Sequence, residues 1–404
     1  MRRLQKVLSM LIVAASLLSS ATLFGCNKEN SNQENAVFEK VDFLVDVAED
    51  KDPVVLQLSD TQIIDAAQER TPERLTAKEE AYWKTEFVEN RCYAYIRETV
   101  QAAQPDLIIL TGDVVYGEFD DSGAALTGFV AFMEGLGVPW APVFGNHDNE
   151  SAKGADWQCA RFEEAEHCLF KQRTLAGNGN YTVGIRQNGE LKRIFFMLDS
   201  NGCAGMSAAS RENGHTYSSN GFGSDQIAWY TEVATSVKTL SPNTKISFAY
   251  HIQQYVFMDA YEKYGFINIA TQEYPINIDK LATKEEGDFG YLGRDLKGPW
   301  DSDRSIWQGM KALGTDSVFV GHEHCNSASV VYDGVRFQFG QKSSTYDRAN
   351  YIKNGEIVGL GASGNGLTPL VGGTVIPLSK EDGSIKSPYI YLCKDKNGNE
   401  VILP

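Results

Sequence analysis

Positive charge is scarce in this chain: Lys and Arg number 37 against 53 Asp and Glu, a formal net charge of −16. So acidic a body repels phosphate backbones and anionic lipid, which argues against nucleic-acid scaffolding and electrostatic membrane binding. No CxxC pair occurs, so a structural zinc site has no support. No Ser or Cys nucleophile motif is visible, and no internal repeat or Pro/Gly linker interrupts residues 50–345. The N-terminal apolar run from Val7 to about Leu18 is too short to span a bilayer comfortably. What is present, 42% hydrophobic and 22% charged residues in 404 positions, is the composition of a soluble globular protein. The length suits one large domain or two ordinary ones.

The N-terminus reads as a segment apart. Arg2, Arg3 and Lys6 precede the apolar run, as in a secretory signal. Leu23-Phe24-Gly25-Cys26 is similar to a bacterial lipobox, in which the Cys is acylated and becomes the first residue. The expectation is a signal peptide over 1–25, lipid on Cys26, and an exported protein anchored on the cell envelope, touching the membrane through that lipid only. A polar tether and lead-in then occupy 26–49, since stretches such as NKENSNQEN form no core. Removing 1–25 leaves 34 cations against 53 acids. Cys92, Cys159, Cys168, Cys203, Cys325 and Cys393 allow up to three disulfides in an exported protein, with Cys159–Cys168 as the one pair proximity suggests.

Short apolar runs recur along residues 50–345, each stopping at a polar group. VVLQLS stops at Asp60, LIIL at Thr111-Gly112-Asp113, and WAPVF at Gly145-Asn146-His147-Asp148. ISFAY stops at His251, SVFV at Gly321-His322-Glu323-His324, and RIFFML at Asp199. Helical patterns lie between: Thr85 to Ala103, Leu126 to Leu136, a helix opening at Ser224, and Ser305 to Leu313. Alternating strands and helices imply an α/β fold with parallel strands early. Asp333-Gly334, between SVVY and VRFQF, predicts a hairpin, so the sheet finishes antiparallel. Residues 346–404 read as a β-rich C-terminal extension of the same domain.

In parallel α/β sheets, reactive groups collect beyond the carboxyl ends of the strands. Here five strand ends carry Asp60, Asp113, Asn146, His251 and His322/His324, and four of the six histidines lie at these tips. Singly, each is a turn former, a helix cap or a core imidazole. Jointly, carboxylate, amide and imidazole donors suit Zn, Fe or Mn, and one shared carboxylate can bridge two ions. Two ions clamp the attacking and leaving oxygens of a phosphoryl displacement.

The order Asp60, Gly112-Asp113, Gly145-Asn146-His147-Asp148, His251, Gly321-His322-Glu323-His324 resembles the calcineurin-like metallophosphoesterases over residues 50–345. The resemblance implies a four-layer sandwich of two mixed β-sheets flanked by helices, and two metal ions. It implies that Asp113 bridges them, that Asn146, His251 and His322 complete one site, and that Asp60 and His324 serve the other. His147 would protonate the leaving oxygen or stabilise the transition state, with Asp148 fixing its ring. Hydrolysis would proceed by a metal-bound hydroxide on a phosphorylated small molecule or phosphoprotein.

The departure is Gln62, where most members have a His ligand. Tyr116, three residues after Asp113, has a spacing similar to the purple acid phosphatases, in which a tyrosinate binds ferric iron. Either Gln62 or Tyr116 supplies the missing donor on this reading. The rivals are phosphodiester cleavage, of nucleotides or lipid head groups, and a surface binding lipoprotein with a degenerate metal site. Residues 201–223, 254–300 and 341–351, with Arg211, His215, Tyr217 and Arg348, are the expected pocket lining.

Overall fold

The computed structural model describes residues 36–73, 76–77, 80–81, 87–201, 221–264, 276–293, 304–360 and 366–404. Cys26, Cys203, Arg211, His215 and Tyr217 therefore lie outside the described residues. The chain forms a mixed α/β sandwich of two main sheets with helices outside, as the sequence predicts.

The smaller main sheet collects β2 (Val54–Leu58), β3 (Leu107–Leu110) and β4 (Trp140–Pro142) in parallel. The C-terminal strands β16 (Gly372–Pro377) and β17 (Tyr389–Leu392) extend it antiparallel on the β2 side. The larger sheet has nine strands in the order β1-β5-β6-β7-β10-β12-β11-β9-β8. Its members are β1 (Phe43–Asp46), β5 (Tyr181–Gln187), β6 (Glu190–Met197), β7 (Lys245–Ala249), β8 (Ile276–Asn277), β9 (Phe289–Leu292), β10 (Thr315–Val320), β11 (Ser327–Tyr332) and β12 (Val335–Phe339). Strands β6, β7, β10 and β12 run parallel to their neighbours in that order. Strand β1 precedes the boundary expected at residue 50 and pairs in parallel with β5. A three-stranded sheet of β13 (Ala349–Lys353), β14 (Glu356–Leu360) and β15 (Thr368–Leu370) lies beside them in sequence.

Strand β6 illustrates how period-two patterning builds the layers. Phe195 and Met197 enter a core shared with β2, β3 and β4 and with helices α1 (Phe87–Ala103), α2 (Ala124–Glu134) and α3 (Ala155–Glu163). Ile194, Phe196 and Leu198 enter a second core under α4 (Ser224–Leu240), α5 (Val256–Glu262) and α6 (Arg304–Ala312). One face of the sheet thus meets the other sheet and the opposite face meets helices. Helix α4 starts where Gln226 reaches back to the Gly223 N–H at 2.7 Å, satisfying an otherwise orphaned donor. The β11–β12 hairpin turns at Asp333 and Gly334, both left-handed (φ 51° and 78°), the conformation of a type I′ turn.

One expectation fails. Cys159 and Cys168 are separate buried thiols, as are Cys92, Cys325 and Cys393. The reason is local: Cys159 lies on α3 with its Sγ directed at Gln172 Oε1 (3.5 Å), whereas Cys168 is bridged beside Trp140 of β4. Burial pushes both thiols above their ordinary range.

Candidate metal centre

The carboxyl ends of β2, β3 and β4 meet those of β7 and β10, and their loops are laced together by backbone hydrogen bonds. Asp60 N–H donates to Gly112 O (3.2 Å), Gln62 N–H to Asp113 O (2.8 Å), and Gly321 N–H to His251 O (3.0 Å). His322 N–H donates to Asp60 Oδ1 (3.2 Å), joining the two sheets. Asp60, Gln62, Asp113 and His322 all have left-handed backbone, with φ of 51°, 46°, 51° and 71°. Such strain concentrates at functional sites and persists where the surroundings over-determine it.

The glycines of the motifs make room for these side chains. A Cβ on Gly112 would stand 2.4 Å from His251 Nδ1, and one on Gly145 would stand 2.2 Å from Asp113 Oδ1. Both contacts are shorter than van der Waals packing allows, so only glycine fits.

Several of the candidate donors lie close together. His251 Nδ1 donates to Thr111 O (2.7 Å), which turns Nε2 toward Asn146 Oδ1 (3.2 Å) and Asp113 Oδ2 (3.3 Å). His324 Nδ1 faces Asp347 Oδ2 (3.1 Å), and its Nε2 stands 3.3 Å from Asp60 Oδ1. Ligand atoms of Asp60, Asp113 and His324 all lie within 4.8 Å of one another. Donors about 3.3 Å apart are spaced as ligands sharing one cation at about 2.0–2.2 Å. A Nδ1–H held by a carbonyl or carboxylate is also the usual support of a metal-binding imidazole. The residues fit divalent ions on both counts. His322 packs edge-on against His251, with ring centroids 5.1 Å apart.

Among themselves, these buried carboxylates and imidazoles set one another's charge. Burial raises the cost of charge on Asp60, but His324 outweighs it and the carboxyl falls to about 2. Asp113 is held far below the carboxylate range against its burial by His251 and His147. Burial opposes charge on His251, and Asp113 and Asp60 overcome it, to about 10. His322 is driven down to about 3 by burial and by the adjacent His251.

His147 sits beside this cluster, its N–H donating to Asp113 Oδ1 (2.9 Å). Its ring partner corrects the sequence reading. Asp148 does not orient it: that carboxylate accepts Val115 N–H (2.9 Å) and Gly145 N–H (2.8 Å), tying the loops after β3 and β4. Glu150 Oε2 holds His147 Nδ1 at 2.7 Å instead. Residues 148–150 form a 3₁₀ turn, in which side chains three apart eclipse. Burial works against the imidazolium, and Asp113 with Glu150 raises His147 to about 9. Burial and the nearby Asp113 raise Asp148 to about 7. Tyr116 stacks on His147, centroids 3.9 Å apart and planes 26° apart.

Three contributors were not singled out in the sequence: Glu150, and Lys342 and Asp347 within the 341–351 stretch expected to line the pocket. The last two arrive on the loop after β12. Lys342 Nζ, fully buried, donates to Asp60 O (3.0 Å) and Gln62 Oε1 (2.7 Å). Gln62 Nε2 faces Asp113 Oδ2 (3.3 Å) and His324 Nε2 (3.1 Å).

A family model for calcineurin-like phosphoesterases matches residues 53–326, more than half of the sequence, and the chain belongs to that family. Curated relatives include phosphatase DCR2 of Saccharomyces cerevisiae, 24% identical over 244 residues, covering 57% of this chain and 38% of the yeast protein. Probable inactive purple acid phosphatase 29 of Arabidopsis thaliana is 23% identical over 291 residues, 65% of this chain and 66% of that one. The chain thus spans well under half of the yeast relative's length. Among solved structures, a dimetal phosphatase from Danio rerio is similar at 10% identity and TM-score 0.39, covering 81% of this chain and 96% of that one. Purple acid phosphatase PPD1 from yellow lupin is similar at 11% identity and TM-score 0.37, covering 84% and 53%.

Proposed function

We propose that this protein hydrolyses phosphate esters, with phosphomonoesters as its favoured substrates, at a two-metal centre. The observation that carries the reading is the pair of imidazoles His251 and His324. Each is held at Nδ1 by an acceptor, and each directs Nε2 at a buried carboxylate, Asp113 or Asp60. Asp113 would bridge, Asn146, His251 and His322 would hold one ion, and Asp60 and His324 would hold the other. The ions, Fe, Zn or Mn, supply Lewis-acid activation of water and of the phosphoryl oxygens when bound. The chain's own part in the reaction falls to His147: Glu150 fixes Nδ1, leaving Nε2 to hold a proton for the departing oxygen. The name of the yeast relative, a phosphatase, supports ester hydrolysis, while the Arabidopsis relative is named a probable inactive purple acid phosphatase; neither name separates monoesters from diesters.

The test is turnover of 4-nitrophenyl phosphate and bis(4-nitrophenyl) phosphate by protein reconstituted with Mn²⁺, Zn²⁺ or Fe. Hydrolysis of the monoester at two ions per chain supports the reading; hydrolysis of the diester alone redirects it to nucleotides or lipid head groups. Metal-free, inactive protein would overturn it. Export and lipid anchoring through Cys26 belong to the same proposal, supported by the N-terminal pattern. Cys26→Ser should then shift the protein from the detergent phase to the aqueous phase or leave it unprocessed.

A further inference from the structure

The amide of Gln62 stands among the donors of the Asp60/His324 metal position, where the family places an imidazole, and its orientation is fixed. Its oxygen accepts from Lys342 Nζ at 2.7 Å, while its nitrogen faces Asp113 Oδ2 at 3.3 Å and His324 Nε2 at 3.1 Å. As an ammonium Lys342 has only N–H groups to offer, and it donates to Asp60 O and Gln62 Oε1 together, so Oε1 faces it. The amide N–H groups consequently occupy the lone pairs of two atoms that would bind the ion. Turning the amide over would present Oε1 to an ion, but it would set the NH₂ against Lys342 and forfeit a buried hydrogen bond. Lys342 is itself anchored by Asp60 O at 3.0 Å, on a loop joined to β2 through Ser343 N–H and Ser59 O at 2.9 Å.

We propose that Lys342 is a latch on Gln62: it holds the amide with its hydrogen-bond donors toward the Asp60/His324 position, so that this position binds its metal more weakly than the Asn146/His251/His322 position. The inference rests on the two-metal reading above and assigns the difference between the two positions to a residue that touches neither ion. Lys342 is a positioning residue.

The experiment is calorimetric titration of metal-free protein with Mn²⁺, with melting curves as a check on folding. The wild type should bind one ion tightly and one weakly. Lys342→Met frees the amide to rotate and should tighten the weak position about 10–100-fold, the usual scale for groups that orient ligands, with the tight one unchanged. Asp60 O keeps a donor in that variant, Ser344 Oγ at 3.2 Å.

Removing a cation beside a cation site also tightens binding by charge alone, and a double-mutant cycle separates the two. Gln62→Glu presents an oxygen on both sides and has no wrong face, so it should tighten the weak position by itself. Adding Lys342→Met to it should then have little further effect. A gain from Lys342→Met that persists undiminished in the Gln62→Glu background overturns the latch, as does no gain at all. Should Lys342→Met not fold, Gln62→Glu decides alone: an unchanged or weakened second position overturns the proposal. Two equal positions in the wild type also overturn it while leaving the two-metal reading intact. Absence of any Mn²⁺ binding would instead defeat the two-metal reading itself.

Discussion

Glu150→Gln isolates what the carboxylate does for His147. In the wild type Glu150 Oε2 meets His147 Nδ1 at 2.7 Å, with Glu150 8% exposed and pushed above the usual carboxyl range by that burial. Glutamine keeps the shape and an oxygen acceptor but loses the charge. Hydrogen bonds to charged groups contribute about 1.5–3 kcal/mol and neutral ones about 0.5–1.5, so the change removes about 1–1.5 kcal/mol. If that support is felt when His147 meets the leaving oxygen, kcat falls about tenfold. The assay compares an alkyl phosphate, whose leaving oxygen needs a proton, with 4-nitrophenyl phosphate, whose leaving group departs without one. The alkyl ester should show the full loss and the nitrophenyl ester little, at unchanged metal content. Asp148→Asn should give no such split, because the Asp148 carboxylate accepts from the backbone N–H groups of Val115 and Gly145 and not from the His147 ring. Equal losses on both esters, loss of metal from Glu150→Gln, or the same split from Asp148→Asn would refute the assignment.

Gly145→Ala should abolish metal binding with the fold retained, because the added Cβ would stand 2.2 Å from Asp113 Oδ1; inductively coupled plasma mass spectrometry on folded protein checks it. Tyr116→Phe should leave turnover within about threefold, since the ring that stacks on His147 survives and only the hydroxyl is lost. A visible charge-transfer band in iron-loaded wild type that disappears in Tyr116→Phe would make Tyr116 a ligand instead.

Much of this site was legible because its residues stand two to four places beyond apolar strands. Asp60, Asp113, Asn146, His251 and His322 needed only strand recognition to be brought to one edge. The role that the resemblance implied for Asp148 belongs to Glu150. On a 3₁₀ turn the residue beside His147 points elsewhere, and the one three places on shares its side. Lys342 and Asp347 fall in the 341–351 stretch expected at the pocket, but their individual roles were hidden for another reason. A lysine in GQKSS has no ligand chemistry to flag it, and only the parallel pairing of β12 with β10 carries its loop to the site. The insertion of β16 beside β2 was likewise hidden, since antiparallel pairing across more than 300 residues leaves no local pattern.

The left-handed backbone at Asp60, Gln62, Asp113 and His322 must be offset elsewhere, at about 1–2 kcal/mol for each residue that leaves its preferred region. One place where the fold supplies that support is Arg193 of β6, toward the strand ends opposite the site. Its guanidinium is fully buried and forms a two-pronged pair with Asp316 at 2.6 and 2.8 Å. It also donates to Gly383 O at 2.9 Å, so β6, β10 and the segment after β16 share one knot. Breaking a buried pair costs about 3–5 kcal/mol; the low end applies because the Asp316 side chain is 33% exposed and can rehydrate. Arg193→Met should therefore cost about 3 kcal/mol in urea unfolding, while Mn²⁺ affinity of the folded protein stays unchanged. The separation is the point of the test. If the same substitution weakens metal binding at temperatures where the protein is fully folded, the strained loops depend directly on that knot, and stability and site geometry are not independent properties.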